Sequence, residues 1–423
     1  MYRTIISTIF FLAFGAFGVI AQTPAPPQQQ PVAITGGTIH TMTDGIIDEG
    51  TVLFEDGKIT AVGNEIAIPE DAEIVDASGR HVYPGLIHSR TTLGLTEISR
   101  VQESTDLSEI GDINPNIRAQ AAFHPVSEHL PVAAVNGVTT AVPTIRGSLI
   151  AGMTAAMMTD GWTWEKMTLK EGLGMIIDWP SMEEPDEYAN KMDKLNEAME
   201  KARRYEKARS TMAHSGEIHH PFDIRWDAML PVLHGDMPVF ISVSGAEQIQ
   251  AAIAWIEKQQ VETVLVGNRG FDLLAAQLAD KNIPVMLSGV ISGPDQQWSG
   301  YDEAYKVPLT LYEAGVDFCI AGGASAAGAY RLPHHAASAA AFGLPEEEAM
   351  KAITINAANI LGIDDMVGSI EKGKDATLII TNDTPLELWT TIEQVYIRGR
   401  QIDMTDKHKR LFEQYMEKHT QQK

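Results

Sequence analysis

The pattern of apolar and polar positions changes twice along the chain. Over residues 32–82 short β-rich runs alternate with turn signals, as in VAITGGTIHTM, GTVLFEDGKITAVG and AEIVDASGRHVY. Asp56-Gly57, between TVLFE and KITAV, predicts a two-residue hairpin, because Asp-Gly tolerates the positive φ such a turn demands. The stretches GSIEKGKDATLIITND and IEQVYIRGRQI have the same texture, with glycine turns at Gly373 and Gly399. Each piece is small for an independent core. Residues 32–83 and 367–405 are therefore expected to form one small split β-sandwich built from both ends of the chain.

Between them strands alternate with helices, the signature of a parallel sheet with crossover helices. Candidate strands lie at residues 86–95, 138–143, 174–179, 238–243, 263–268, 284–290 and 317–322, with no eighth strand legible. Helical periodicity marks residues 187–209, 246–258, 271–281 and 346–361, and Asn282 and Gly315 stand where helix C-caps are expected. The α/β segment 84–366 fits a TIM-like (β/α)8 barrel better than an open doubly wound sheet, which stays the alternative. Residues 406–423 read as a C-terminal helical tail. The charged helix beginning near Glu187 is expected beside the barrel mouth, solvated on its outer face.

Before the first strand, Arg3 precedes an apolar run over residues 5–20, and small side chains lead to Ala21. This reads as a signal peptide, residues 1–21, cleaved after Ala21; a membrane anchor is the competing reading, although the run is short for a bilayer core. Pro- and Gln-rich residues 22–31 carry no apolar periodicity and are expected to be a disordered linker. One cysteine in 423 residues, Cys319, excludes intramolecular disulfides and thiolate clusters. Export without disulfides points to a periplasm and leaves no membrane span after cleavage. With 32 basic against 56 acidic residues the net charge is -24, or -25 without Arg3. That charge argues against nucleic acid and anionic lipid as partners. The 13 histidines are the obvious candidates for metal chemistry.

Three segments carry a family resemblance: Tyr83-Pro-Gly-Leu-Ile87, the run Ile353-Thr-Ile-Asn-Ala-Ala358 leading into Ile360-Leu-Gly-Ile363, and Val367-Gly-Ser-Ile-Glu-Lys-Gly-Lys-Asp-Ala376. Together they resemble the amidohydrolase superfamily, and within it the imidazolonepropionase-like secreted branch. The resemblance implies hydrolysis of non-peptide C–N bonds by one or two divalent ions such as zinc. It places their ligands in a His-x-His pair ending strand 1, a histidine after each of strands 5 and 6, and an aspartate after strand 8.

The residues at those places differ. The strand 1 segment reads His88-Ser-Arg90-Thr-Thr92, so Arg90 and Thr92 occupy the His-x-His positions. A guanidinium has no lone pair to give and repels a divalent ion. Ser242 ends strand 5, Gly267 or Asn268 ends strand 6, and Gly323 replaces the strand 8 aspartate. His88 shares a face with residue 90 but lies about 7 Å lower by strand rise. Its plainer reading is a satisfied core histidine. His334-His335, His219-His220, His124, His129, His214 and His234 are expected at rims, loops or caps. Arg90 and Arg269 could instead clamp a carboxylate, or each could pair with a local acid.

The expectation is thus a degenerate amidohydrolase without metal, binding a small anion through residues such as His88, Arg90, Thr92, Ser242, Asn268, Arg269, Gly323 and His334. Its partners would be a small-molecule ligand or substrate, with a homo-oligomer or an active amidohydrolase paralogue possible. An active hydrolase with a rearranged site is the alternative.

Overall fold

A computed structural model describes residues 23–215, 221–294 and 299–421; the expected signal peptide falls outside them, as do the side chains of His214, His219 and His220. Strands β1 (Val32–His40), β2 (Ile46–Glu55), β3 (Lys58–Gly63), β4 (Glu73–Asp76) and β5 (His81–Pro84) come from the N-terminal side. Strands β14 (Leu378–Thr381), β15 (Ile392–Ile397) and β16 (Arg400–Gln401) come from the C-terminal side. They form one sheet in the order β16-β15-β14-β5-β1-β2-β3, with β4 pairing β1 off that path. The two ends of the chain are joined by the antiparallel β5–β14 ladder, from Pro84↔Leu378 to His81↔Thr381.

The sheet curls until distant strands meet. Phe54 of β2 packs edge-on against Tyr396 of β15 with ring centroids 5.3 Å apart, although three strands separate them in the sheet order. The Asp56-Gly57 turn has positive φ at both residues, and Gly57 accepts a hydrogen bond from the Ala376 N–H at 2.8 Å. A Cβ on Gly57 would stand 2.9 Å from the Arg398 carbonyl oxygen, so only glycine fits this approach. The expected sandwich is realised as one sheet folded over its own core.

The second sheet is the barrel. Its strands are β6 (Leu86–Thr91), β7 (Val138–Pro143), β8 (Ile150–Met158), β9 (Thr168–Asp178), β10 (Val239–Ser242), β11 (Thr263–Gly267), β12 (Val285–Leu287) and β13 (Phe318–Ile320). They neighbour one another in chain order. The strand not legible in the sequence is β8, which runs antiparallel to both β7 and β9. Its residues, IAGMTAAMM, are mostly small or flexible and lack β-branched alternation. Because β8 turns back as a hairpin partner, it needs no crossover helix.

Among the described residues no ladder joins β13 to β6, and the two edges are held by other means. The helical pattern expected over residues 346–361 is broken into Glu346–Lys351 and Ile355–Leu361, with the buried Thr354 between them. The break frees two carbonyls. Ala352 O accepts from Ile320 N of β13, and Ile353 O accepts from Ile87 N of β6, each at 2.9 Å. One kink thereby holds both edges of the seam. Higher up, Thr92 N donates to Ala324 O at 2.7 Å, and Ser89 Oγ lies 3.5 Å from Cys319 Sγ.

The Pro/Gln-rich stretch corrects an expectation. Residues 23–31, anticipated as a disordered linker, lie against the fold. Gln28 donates from Nε2 to Phe54 O at 3.0 Å and accepts at Oε1 from Gly57 N at 2.9 Å. Ala25 is buried, and its N–H reaches the Asp160 carboxylate at 3.3 Å. Polar side chains and backbone hold this strap, so apolar periodicity could not reveal it.

Candidate binding site at the barrel mouth

The strand that should begin a metal site is irregular where it matters. Register along β6–β7 shifts between His88 and Thr91, so three steps on β6 oppose two on β7. Such a bulge re-aims side chains. Ser89 turns toward Cys319 in the seam, whereas His88 and Arg90 meet groups from elsewhere in the barrel.

His88 is fully buried, and neither ring nitrogen has a hydrogen-bond partner among the described residues. Burial, reinforced by nearby His335, lowers its pKa to about 3, so the ring is neutral at physiological pH. A buried imidazole with nothing to bond is costly. His88 is the core histidine expected, but its approach to the Gly323 backbone does not reach hydrogen-bond geometry.

Its neighbour His335 belongs to the helix Leu332–Ala341. Nδ1 of His335 accepts from Val290 N at 3.0 Å and from Ile291 N at 3.2 Å. Since Nδ1 is an acceptor, the proton of the neutral ring sits on Nε2. Burial lowers this pKa to about 4, with His334 and Arg331 acting in the same direction. The ring lies beside two glycines. A Cβ built on Gly323 would be 3.8 Å from His335 Nε2, and one on Gly289 would be 3.5 Å from Cε1. Gly323, at the position of the expected aspartate and with φ +85°, thus opens space in front of the Nε2–H donor.

Arg90 is partly buried and, among the described residues, has no hydrogen bond or ion pair within 4 Å. Burial works against its charge; Asp178 at the end of β9 favours it and Arg146 opposes it. Asp178 Oδ2 is taken by the Gly147 N–H at 2.7 Å. Ser242 ends β10 directly opposite Asp178 in the ladder. Arg90 thus meets a carboxylate already engaged by Gly147, while the neutral imidazole of His88 lies near His335 and Gly323.

Comparisons with known proteins bear on this geometry. The sequence model described as the amidohydrolase family matches residues 299–402, about a quarter of the chain. The chain is similar to amidohydrolase tasK of Hapsidospora irregularis, 22% identical over 394 residues that cover 83% of this chain and 39% of that protein. It thus spans about two fifths of that relative's length. Among solved structures, an amidohydrolase from Thermotoga maritima MSB8 superposes with a TM-score of 0.81 at 23% identity, covering 88% of this chain and 99% of that one. Molinate hydrolase superposes at 0.55 with 18% identity, over 89% and 95% of the two chains. The chain thus carries an amidohydrolase-family match over residues 299–402, resembles one amidohydrolase in sequence and shares the fold of another.

The superfamily's metal does not fit the residues present. Arg90, Thr92, Ser242, Gly267 or Asn268, and Gly323 offer neither imidazole nor carboxylate at the ligand positions. Among the described residues no three His, Cys, Asp or Glu side chains converge to hold an ion. His88 and His335 give two imidazoles, one already committed at Nδ1 to backbone N–H groups.

The other anticipated residues scatter. Thr92 serves the seam, its Oγ1 accepting from Ala326 N at 3.0 Å. Asn268 and Arg269 line a separate 290 Å3 cavity with Ser292 and Glu303, and the charges acting on Arg90 are Asp178 and Arg146, so Arg269 is not its clamp partner. His334 faces a 330 Å3 crevice beside Tyr330, Glu387 and Lys409, outside the barrel. His335, expected at a rim, is the histidine that enters. A helical stripe already pointed there, since Leu332, His335, Ala336 and Ala339 share the buried face. Asp178 and Arg146 had no comparable sequence signal. His129 bonds the Glu97 carbonyl at 2.9 Å, and His234 bonds Glu206 at the surface.

Proposed function

We propose that this amidohydrolase-fold chain works without a metal ion, in the periplasm after export, and binds a small organic anion at its barrel mouth. One observation carries the reading: Arg90 stands at a metal-ligand position as a partly buried cation with no partner within 4 Å among the described residues. A permanently charged guanidinium excludes a divalent ion from its vicinity and recruits a planar anion by paired N–H donors. In a chain of net charge -24, that makes the pocket selective for compact anions over polyanions. The competing reading, an active hydrolase with a rearranged site, draws on the unpartnered His88.

The test is calorimetric titration of purified protein with pentanoate, with metal content measured on the same sample. Saturable binding that Arg90→Gln weakens at least tenfold, with well under one Zn, Mn, Fe or Co per chain, supports the proposal. A stoichiometric metal ion, or binding indifferent to Arg90→Gln, refutes it. Turnover of cyclic amides or N-acyl amino acids would favour the hydrolase.

A further inference from the structure

A 390 Å3 cavity lies between the small sheet and the helix Glu346–Lys351 of the barrel segment. Tyr83, on its wall, stands just before β6 begins, so the cavity sits at the entry of that strand, whereas Arg90 stands near its exit. The parallel β1–β5 ladder pairs Thr38 with His81 and Ile39 with Val82, which brings His40 level with Tyr83. Those two rings stack with centroids 4.0 Å apart and planes at 11°. His81 shares a face of β5 with Tyr83, and its ring centroid is 6.2 Å away. His40 Nε2 and His81 Nδ1 lie 3.0 Å apart, so one imidazole donates to the other. Burial, then the proximity of His81, lowers the His40 pKa to about 4 against the pull of Asp48, so this ring is neutral at physiological pH. Buried Met42 and Met350 add apolar wall.

The formal charges on the lining have one sign. Glu346, Glu347 and Asp383 border the cavity, and no lysine or arginine does. Glu347 is held by Lys351 at 2.7 Å. Glu346 and Asp383 have no basic partner within 4 Å among the described residues; Asp383 Oδ1 accepts only from the Thr384 N–H, at 2.7 Å. Both carboxylates act on the Tyr83 phenol, which burial already pushes up to about 12. Three aromatic rings, two methionines and two uncompensated carboxylates therefore share one cavity. We infer that it binds a small organic cation, a flat amidinium or guanidinium group on an apolar body, seated against the rings with its charge toward Glu346 and Asp383. Ring faces attract a cation, and a planar pair of N–H donors suits a carboxylate. An anion would be repelled, and a neutral guest would make no use of the rim. The chain's net charge of -24 draws cations to the surface in the first place. This site is separate from Arg90 and stands or falls without it.

Benzamidinium and benzamide share size and shape and differ in charge, so calorimetric titration with the two tests the inference. Wild-type protein is expected to bind benzamidinium roughly tenfold more tightly. In methionine-methyl NMR spectra the Met42 and Met350 signals should move as the site fills. The double variant Glu346→Gln with Asp383→Asn removes both charges at exposed positions and keeps an acceptor for the Thr384 N–H. It should bind the two compounds within about threefold of each other. Binding of neither compound by the wild type, equal binding of both, or a preference surviving in the double variant overturns the cation site. Saturation that leaves the Met42 and Met350 signals in place overturns it as well.

Discussion

Two half-buried arginines divide the molecule. At the joint between barrel and strap, Arg400 reaches the Asp160 carboxylate at 2.7 Å, the Asp160 carbonyl at 3.1 Å and the Ala25 carbonyl at 3.3 Å. Side-chain exposure there is 18% for Arg400 and 16% for Asp160. At the mouth, Arg90 has no such partners among the described residues, and the acid that favours its charge, Asp178, is bonded to Gly147. The fold can satisfy an inward-facing guanidinium completely where the task is to hold segments together. The unsatisfied Arg90 is the observation on which the proposed anion site rests.

The comparison has a pH signature with opposite signs. His88 and His335 have folded pKa values of about 3 and about 4, below the ordinary 6.5, so the unfolded chain takes up protons first as pH falls. Their stabilising effect is complete above pH 6.5 and is lost progressively toward pH 4, at roughly 1.4 kcal/mol per pH unit for each histidine. Burial raises the pKa of Asp160 against the pull of Arg400. That group favours the folded state below its unfolded pKa and loses the contribution as pH rises, so the joint does not add to the acid loss. Urea unfolding of His88→Leu should show a shallower decline between pH 6.5 and 4 than the wild type. An unchanged slope would remove His88 from the account.

Arg400→Ala strands a mostly buried carboxylate and should cost roughly 2–3 kcal/mol in urea unfolding, less than a fully buried pair because some solvent reaches it. Arg90→Met removes a cation with no partner and should change stability by less than about 1 kcal/mol, or increase it, while abolishing anion binding. Equal losses at the two arginines would erase the distinction between joint and site.

Smallest is the effect at Cys319. Burial pushes its thiol up to about 12, so almost no thiolate exists at neutral pH. Native protein should resist a thiol-reactive disulfide reagent for hours and react at once in urea. Rapid native labelling would mean that the seam between β6 and β13 opens readily.

Much of the frame was legible in the sequence. The Asp56-Gly57 hairpin, the β5–β14 closure between chain ends and the left-handed Gly315 cap follow from turn chemistry and period-two runs. What escaped depended on tertiary context. Strand β8 carries alanine, glycine and methionine in place of β-branched alternation, and its reversed direction has no βα signature. Thr354 interrupts a helix whose local sequence is continuous, because barrel strands need the Ala352 and Ile353 carbonyls. At the site, motif alignment identified Arg90 and Gly323 as departures. The partnership of His88 with His335 required knowing which face of the later helix turns inward. The strap was misjudged because Gln28 works through backbone bonds rather than apolar burial.

The most direct test of Arg90 as an anion site is an anomalous-difference map from crystals soaked in 3-bromobenzoate, whose aryl bromide does not alkylate imidazole, at a wavelength where bromine and first-row transition metals both scatter anomalously. An anion site at Arg90 predicts a bromine peak beside it, with the ligand's carboxylate on the guanidinium, and no peak shared by His88 and His335. A metal peak between those two imidazoles, with no bromine near Arg90, would contradict it.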